Sequence, residues 1–141
     1  MPQIQVKSAL VEADALRAFC LQLLMHANLK HEDAELVADS LVESNLRGID
    51  AHGVARLPHY LERIRQQSIN ARPEMLWEQL GTAAGRVDGD HGLGQLAMVK
   101  AADHAIELAR DSGAGWVSIC NSSHCGALAY YGLRMAQAGM I

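Results

Sequence analysis

The sequence predicts an α/β protein in which an N-terminal three-helix layer precedes the start of a mixed sheet with helices. Three observations lead there. Residues 8–65 carry three apolar stripes at a period near 3.6, joined by short turn-rich links. After Gln67 the pattern changes to short strand candidates alternating with helical stretches. The 141 residues, half of them hydrophobic, are enough for a real core.

In the first stripe, Ser8 can cap a helix whose first turn holds Glu12 and Asp14 and which runs to about Ala27. Its apolar side is Leu16, Phe19, Cys20, Leu23, Leu24 and Ala27. Asn28 to Lys30 make the connection. A second helix starts near His31, with Glu32 and Asp33 favourable to its dipole. Ala34, Val37, Ala38, Leu41, Val42 and Leu46 form its buried face. The third stripe is Val54, Leu57, Leu61 and Ile64, ending about Arg65. We expect residues 1–67 to be a helical region and 68–141 the first part of an α/β domain.

Arg72-Pro73 is unsuited to a helix interior, so Ser68 to Glu74 is expected to be a loop. Met75 to Leu80 and Ala83 to Val87 are short strand candidates, with a turn-rich loop, Asp88 to Gly94, after them. A long helix, roughly Leu93 to Asp111, buries Ala97, Met98, Ala101, Ala105, Leu108 and Ala109 and stops at Ser112-Gly113. Trp116 to Cys120 is the best strand, β-branched and aromatic. Asn121 to Gly126 is expected to be a loop, and Ala127 to Ala138 a last helix stopped by Gly139. Met140-Ile141 stands where the alternation calls for another strand, so the chain is expected to be the front part of a longer domain.

Net charge is −4 and the twelve basic residues are spread out, which argues against a nucleic-acid partner. No signal pattern and no apolar run of membrane-spanning length is present, so a cytoplasmic protein with no membrane partner is expected. Cys20, Cys120 and Cys125 are an odd count without a paired framework, as in a reducing compartment.

The segment Arg47 to Arg56 lies between two helical stripes. Gly48 is a plausible C′ residue, and Asp50 a plausible N-cap for the next helix. That would put His52 in a first helical turn, where the dipole favours a neutral imidazole, with Arg56 one turn on along the same face. A neutral imidazole beside a guanidinium suits a carboxylate lying next to an oxygen that gains or loses a proton. The same residues would also serve as an ordinary helix start with a surface arginine.

Gly92-Leu93-Gly94-Gln95-Leu96-Ala97 matches the dinucleotide fingerprint G-x-G-x-x-A. The preceding residues are too short and glycine-broken for the central strand that motif requires, and no acid stands after the next strand to hold a ribose. A tight turn into a helix is the better reading. Asn121 to Ala127 is a stronger candidate, at the carboxyl end of the best strand. Ser122 and Ser123 offer hydroxyls, a helix start offers N–H groups, and His124 can carry a proton. A serine-capped helix is the bland alternative. Cys120, His124 and Cys125 lack zinc-ligand spacing, so no metal is expected.

Leu46 to Pro58, the Asp88–Gln95 loop and Ser123 to Ala127, in this order and separation, resemble the malate/L-lactate dehydrogenase family. This group is distinct from Rossmann-type lactate and malate dehydrogenases and includes ureidoglycolate and sulfolactate dehydrogenases. The resemblance runs from Ala13 to Ile141. It implies a non-Rossmann fold, a homodimer, and NAD- or NADP-linked interconversion of a small 2-hydroxy acid with its 2-oxo acid. By position His52 resembles the proton-transferring histidine, and Arg56 the arginine that grips the substrate carboxylate. His124 resembles a second, acid/base or cofactor-contacting histidine, while Ser123 and Cys125, Gly126, Ala127 and Leu128 resemble a cofactor-contacting helix start. Many members place a serine before the first histidine; Ala51 stands there in this chain and supplies no hydroxyl relay. The family's chains are more than twice as long, so the 141 residues are not expected to be active alone. The alternative expectation is a non-catalytic helical dimerisation or interaction fragment.

Overall fold

The computed structural model describes residues 10–141. The expected Ser8 cap lies outside them, but residues 10–12 are not helical, so the first helix begins later than expected. Helix α1 spans Ala13–His26, α2 His31–Leu46, and α3 Leu57–Arg65, with two 3-10 turns, Asp50–His52 and Val54–Arg56, between α2 and α3. In α2 the expected stripe is buried from Ala34 to Val42, while Leu46 is exposed at the helix end. In α1 only Cys20 and Leu24 are fully buried. Phe19 is exposed, because the i, i+4 line through Cys20 and Leu24 leaves it at the margin of the stripe.

Strand β1 (Leu76–Gln79) pairs antiparallel with β2 (Ala84–Gly92), which pairs parallel with β3 (Trp116–Ser122). The sheet is therefore mixed, in the order β1-β2-β3. Helix α4 (Gly94–Ser112) crosses from β2 to β3 and stops at Gly113, which adopts φ +79°. Helix α5 (Ala129–Gln137) ends the set of elements.

The expected loop at Asp88–Gly94 is instead the second half of β2. Asp88 pairs with Cys120 and Gly92 with Ser122, so three residues of β2 stand opposite Asn121 alone. The turn-forming composition is spent on this bulge, in which Asp90 (φ +46°) and His91 (φ +55°) are left-handed. Asp90 accepts hydrogen bonds from the Glu74 amide (2.9 Å) and from Asn70 Nδ2 (2.8 Å), pinning the bulge to the 68–74 loop.

One core joins both parts of the chain. Cys20, Leu24, Val37, Leu41, Leu57 and Tyr60 pack with Leu93 and Leu96 from the start of α4. Each fully buried leucine there contributes about 1.5–3 kcal/mol. A smaller cluster of Val87, Ala97 and Ala101 lies between sheet and α4. The start of α4 is thus held from both sides.

Candidate active site

Helix α2 stops as its sequence predicts. Gly48 takes φ +72°, its amide donates to the Asn45 carbonyl (2.9 Å), and the Ile49 amide donates to the Ser44 carbonyl (2.8 Å). The next segment departs from expectation. No α-helix begins at Asp50, so His52 does not sit in a helical first turn and Arg56 does not lie one turn along from it. The reason is Asn45. Its Oδ1 accepts the Val54 amide (2.8 Å) and its Nδ2 donates to the Asp50 carboxylate (2.6 Å), which folds residues 50–54 back onto the end of α2. Asp50 is consumed by this bond and caps nothing. Gly53 lies so close to Asn45 that a Cβ would overlap its side-chain amide.

The fold-back turns His52 toward a second loop, residues 123–128. The His52 and His124 rings stack with centroids 5.4 Å apart and planes at 25°. The buried Nδ1 of His52 has no partner among the described residues. His124 Nδ1 faces the Tyr60 hydroxyl at 2.7 Å and accepts the Gly126 amide at 3.3 Å. Gln95 Nε2 donates to the same hydroxyl at 3.0 Å. Arg56 Nε donates to the Ala51 carbonyl (2.7 Å), and the guanidinium makes no ion pair among the described residues. Its charge is felt by both His124 and Tyr60.

The electrostatics arise from this crowding. Partial removal from water, then the positive charge of Arg56, push the His124 pKa below its usual value. Burial raises the Tyr60 phenol, opposed by the Gln95 hydrogen bond and the Arg56 charge. Both groups are therefore held neutral at ordinary pH.

The structure stacks His52 on His124, and the Arg56 charge acts on His124. The 123–128 segment is not a helix start, because α5 begins only at Ala129. Gly126 takes φ +74° and keeps the segment off helical geometry. The Ser123 hydroxyl accepts the Gly94 amide (3.2 Å), and the Cys125 carbonyl accepts the Tyr131 hydroxyl. Ala127 and Leu128 lead into α5, with Leu128 exposed.

The dinucleotide fingerprint at Gly92–Ala97 also needs a correction. The strand before it is not short, being the nine-residue central strand β2, although the bulge at residues 89–91 interrupts its pairing. The rejection stands on other grounds. A Cβ on Gly94 would meet the Ser123 carbonyl and lie 2.7 Å from His124 backbone atoms, and one on Gly92 would lie 2.7 Å from Pro73. The close approach that these glycines would offer a pyrophosphate is taken by the 123–124 backbone and the Pro73 ring. No acid stands at the end of β3 either, where Asn121 bonds Asp88.

Three residues of the site are not singled out by the sequence. Tyr60 lies four residues past Arg56, and that spacing was a usable signal. Gln95 sits in an otherwise apolar buried run, and Asn45 lies before a helix stop. Neither position carries a periodic signal.

Comparison with known proteins agrees with the motif resemblance. A family model described as malate/L-lactate dehydrogenase matches residues 11–141, and the chain belongs to that family. The malate dehydrogenase of Pyrococcus abyssi (strain GE5 / Orsay) is 40% identical over 131 residues, covering 93% of this chain and 36% of that protein. The ureidoglycolate dehydrogenase (NAD(+)) of Escherichia coli (strain K12) is 34% identical over 131 residues, 38% of its length. Among solved structures, malate dehydrogenase from Pyrococcus horikoshii OT3 superposes with a TM-score of 0.87 at 36% identity, over 94% of this chain and 40% of that one. The chain thus spans under two fifths of the length of these curated relatives.

Proposed function

We propose that this chain supplies the substrate-handling residues of an NAD- or NADP-dependent oxidoreductase that interconverts a small 2-hydroxy acid, of malate or lactate type, and its 2-oxo acid. The observation that carries the reading is Arg56, a guanidinium without a carboxylate partner among the described residues, whose charge acts on His124 in the stacked pair of imidazoles. Arg56 would hold the substrate carboxylate, as a planar fork does well. His52 would take the hydroxyl proton as the carbonyl forms and return it in the reverse direction. His124, stacked on His52, would stand next to both substrate and coenzyme.

A bound nicotinamide would supply the hydride acceptor in one direction and the donor in the other. Ser123 and Cys125 to Leu128 would hold it. Their geometry supports contact along one side only. The Gly126 amide is used on His124, the Ser123 hydroxyl faces Gly94, and the Tyr130 and Tyr131 amides are given to the Ala127 and Leu128 carbonyls, which leaves the exposed Leu128 edge open to a ligand. Residues 68–141 would be the cofactor-binding part and 1–67 the helical part. Ala51 offers no hydroxyl, and its carbonyl instead anchors Arg56. No helix of the described residues is long and apolar enough to cross a membrane. A cytoplasmic homodimer is the setting we propose.

The test is to incubate the product of the whole reading frame with NADH or NADPH and a panel of 2-oxo acids, following nicotinamide absorbance. Turnover of a small 2-oxo acid, lost on Arg56→Ala, is the expected result. Coenzyme that is neither bound nor consumed would overturn the reading and leave the dimerisation or interaction role.

A further inference from the structure

Which nitrogen of His124 carries the proton can be worked out from its neighbours. A neutral imidazole has one N–H and one bare nitrogen, and ring orientation alone does not say which is which. The chain of contacts Gln95–Tyr60–His124 can run two ways. Either the Gln95 amide donates to Tyr60 and Tyr60 to His124 Nδ1, or His124 Nδ1–H donates to Tyr60 and Tyr60 donates to the glutamine carbonyl. Side-chain amides turn over and hydroxyls rotate, so these two groups do not decide between them.

The Gly126 amide does decide. A backbone N–H is always a donor, and this one points at His124 Nδ1 at 3.3 Å. Two donors do not share that geometry, so Nδ1 carries a lone pair. The Tyr60 hydroxyl, 2.7 Å away, must then be the donor to it, and Tyr60 can accept only from Gln95 Nε2, at 3.0 Å. Gln95 is fully buried, and its Oε1 has no partner among the described residues. That orphan is the cost of keeping the amide turned toward Tyr60. Turning the amide over would bring no gain, because it would orphan the amide nitrogen instead.

We propose that Gln95 and Tyr60 are positioning residues that, with the Gly126 amide, lock His124 as its Nε2–H tautomer. The proposal rests on the dehydrogenase reading only for its consequence, which is a division of labour between the two histidines. A His124 so held presents an N–H to a ligand and has no bare nitrogen on its open side. It can donate a hydrogen bond to a substrate or coenzyme oxygen, but it is not the base that removes a hydroxyl proton. That task falls to His52.

The tautomer can be read without any ligand. Long-range proton–nitrogen correlation spectra of the histidine-labelled chain at about pH 8, where imidazoles are neutral, separate protonated from bare ring nitrogens. His124 is assigned by the peak missing from His124→Gln. We expect Nε2 protonated and Nδ1 bare. Tyr60→Phe should lower the ratio of the two tautomers about five-fold, the equivalent of one ordinary net hydrogen bond. Gln95→Met should lower it less, because Tyr60 keeps its O–H but loses the donor that orients it. A wild-type spectrum with the proton on Nδ1 overturns the proposal, and it does so even if Tyr60→Phe fails to fold. An unchanged ratio in a folded Tyr60→Phe chain overturns the part of Tyr60, and a wild-type ratio in Gln95→Met that of Gln95. No coenzyme or acid enters, so an inactive dehydrogenase assay leaves the tautomer standing, and a wrong tautomer sinks this proposal even where turnover is seen.

Discussion

Gly94→Ala changes one hydrogen to a methyl group at the junction where the α4 start meets the loop that carries His124. The added Cβ would lie 2.7 Å from both the carbonyl carbon and oxygen of His124, and closer still to the Ser123 carbonyl. Ordinary contact begins near 3.4 Å, so the overlap is at least about 0.7 Å against backbone that cannot rotate away. Overpacking of this kind costs about 1–3 kcal/mol. Alanine also favours a helix over glycine by about 1 kcal/mol, which works in the opposite direction. If the loop yields, the Gly94 amide bond to the Ser123 hydroxyl is lost as well, at about 1 kcal/mol. The net expectation is a loss of about 1–3 kcal/mol, seen as a lower urea midpoint at unchanged slope. The ring resonances of His124 should shift in the same variant, because the loop must move. A variant as stable as the parent, with unmoved histidine signals, would refute the claim that this close approach builds the site.

Three further outcomes are expected. Arg56→Lys in the product of the whole reading frame should raise KM for the 2-oxo acid by about ten-fold or more with a smaller change in kcat, because a point charge does not reproduce a bidentate grip; steady-state kinetics check it. His124 binds a proton less readily folded than unfolded, so stability should be complete above about pH 6.5 and fall as pH drops below that value toward the folded-state pKa. Urea midpoints across pH 8 to 5, with His124→Gln flattening that part of the slope, test the sign. Trp116, Leu128 and Leu133 are exposed apolar side chains, so sedimentation at several concentrations should reveal a species larger than the 15.3 kDa monomer.

The helices were legible because their evidence is periodic. The buried face of α2 and the Gly48 stop come from spacing and from the one residue that takes φ +72° without strain. The second half of β2 was not, because Gly89, Asp90 and Gly92 carry the composition of a turn. A bulge uses the same residues, and only pairing with β3 tells them apart. The site was half legible. His52, Arg56 and His124 stand out by residue type and motif order, but the expected α-helix at Asp50 was wrong. Asn45, five residues back, competes for Asp50 and for the Val54 amide, a tertiary-like bond that propensity does not register. Tyr60 and Gln95 reach His124 from 64 and 29 positions away in sequence, a distance that no local pattern spans.

The most direct measurement of the central claim is the kcat of His52→Gln in the product of the whole reading frame, with the 2-hydroxy acid that the panel identifies. Loss of a positioned proton-transfer group should lower kcat by about 100- to 10,000-fold with little change in KM, since Arg56 still holds the carboxylate. A kcat within two-fold or so of the parent would contradict the account, because proton transfer would then belong to another group.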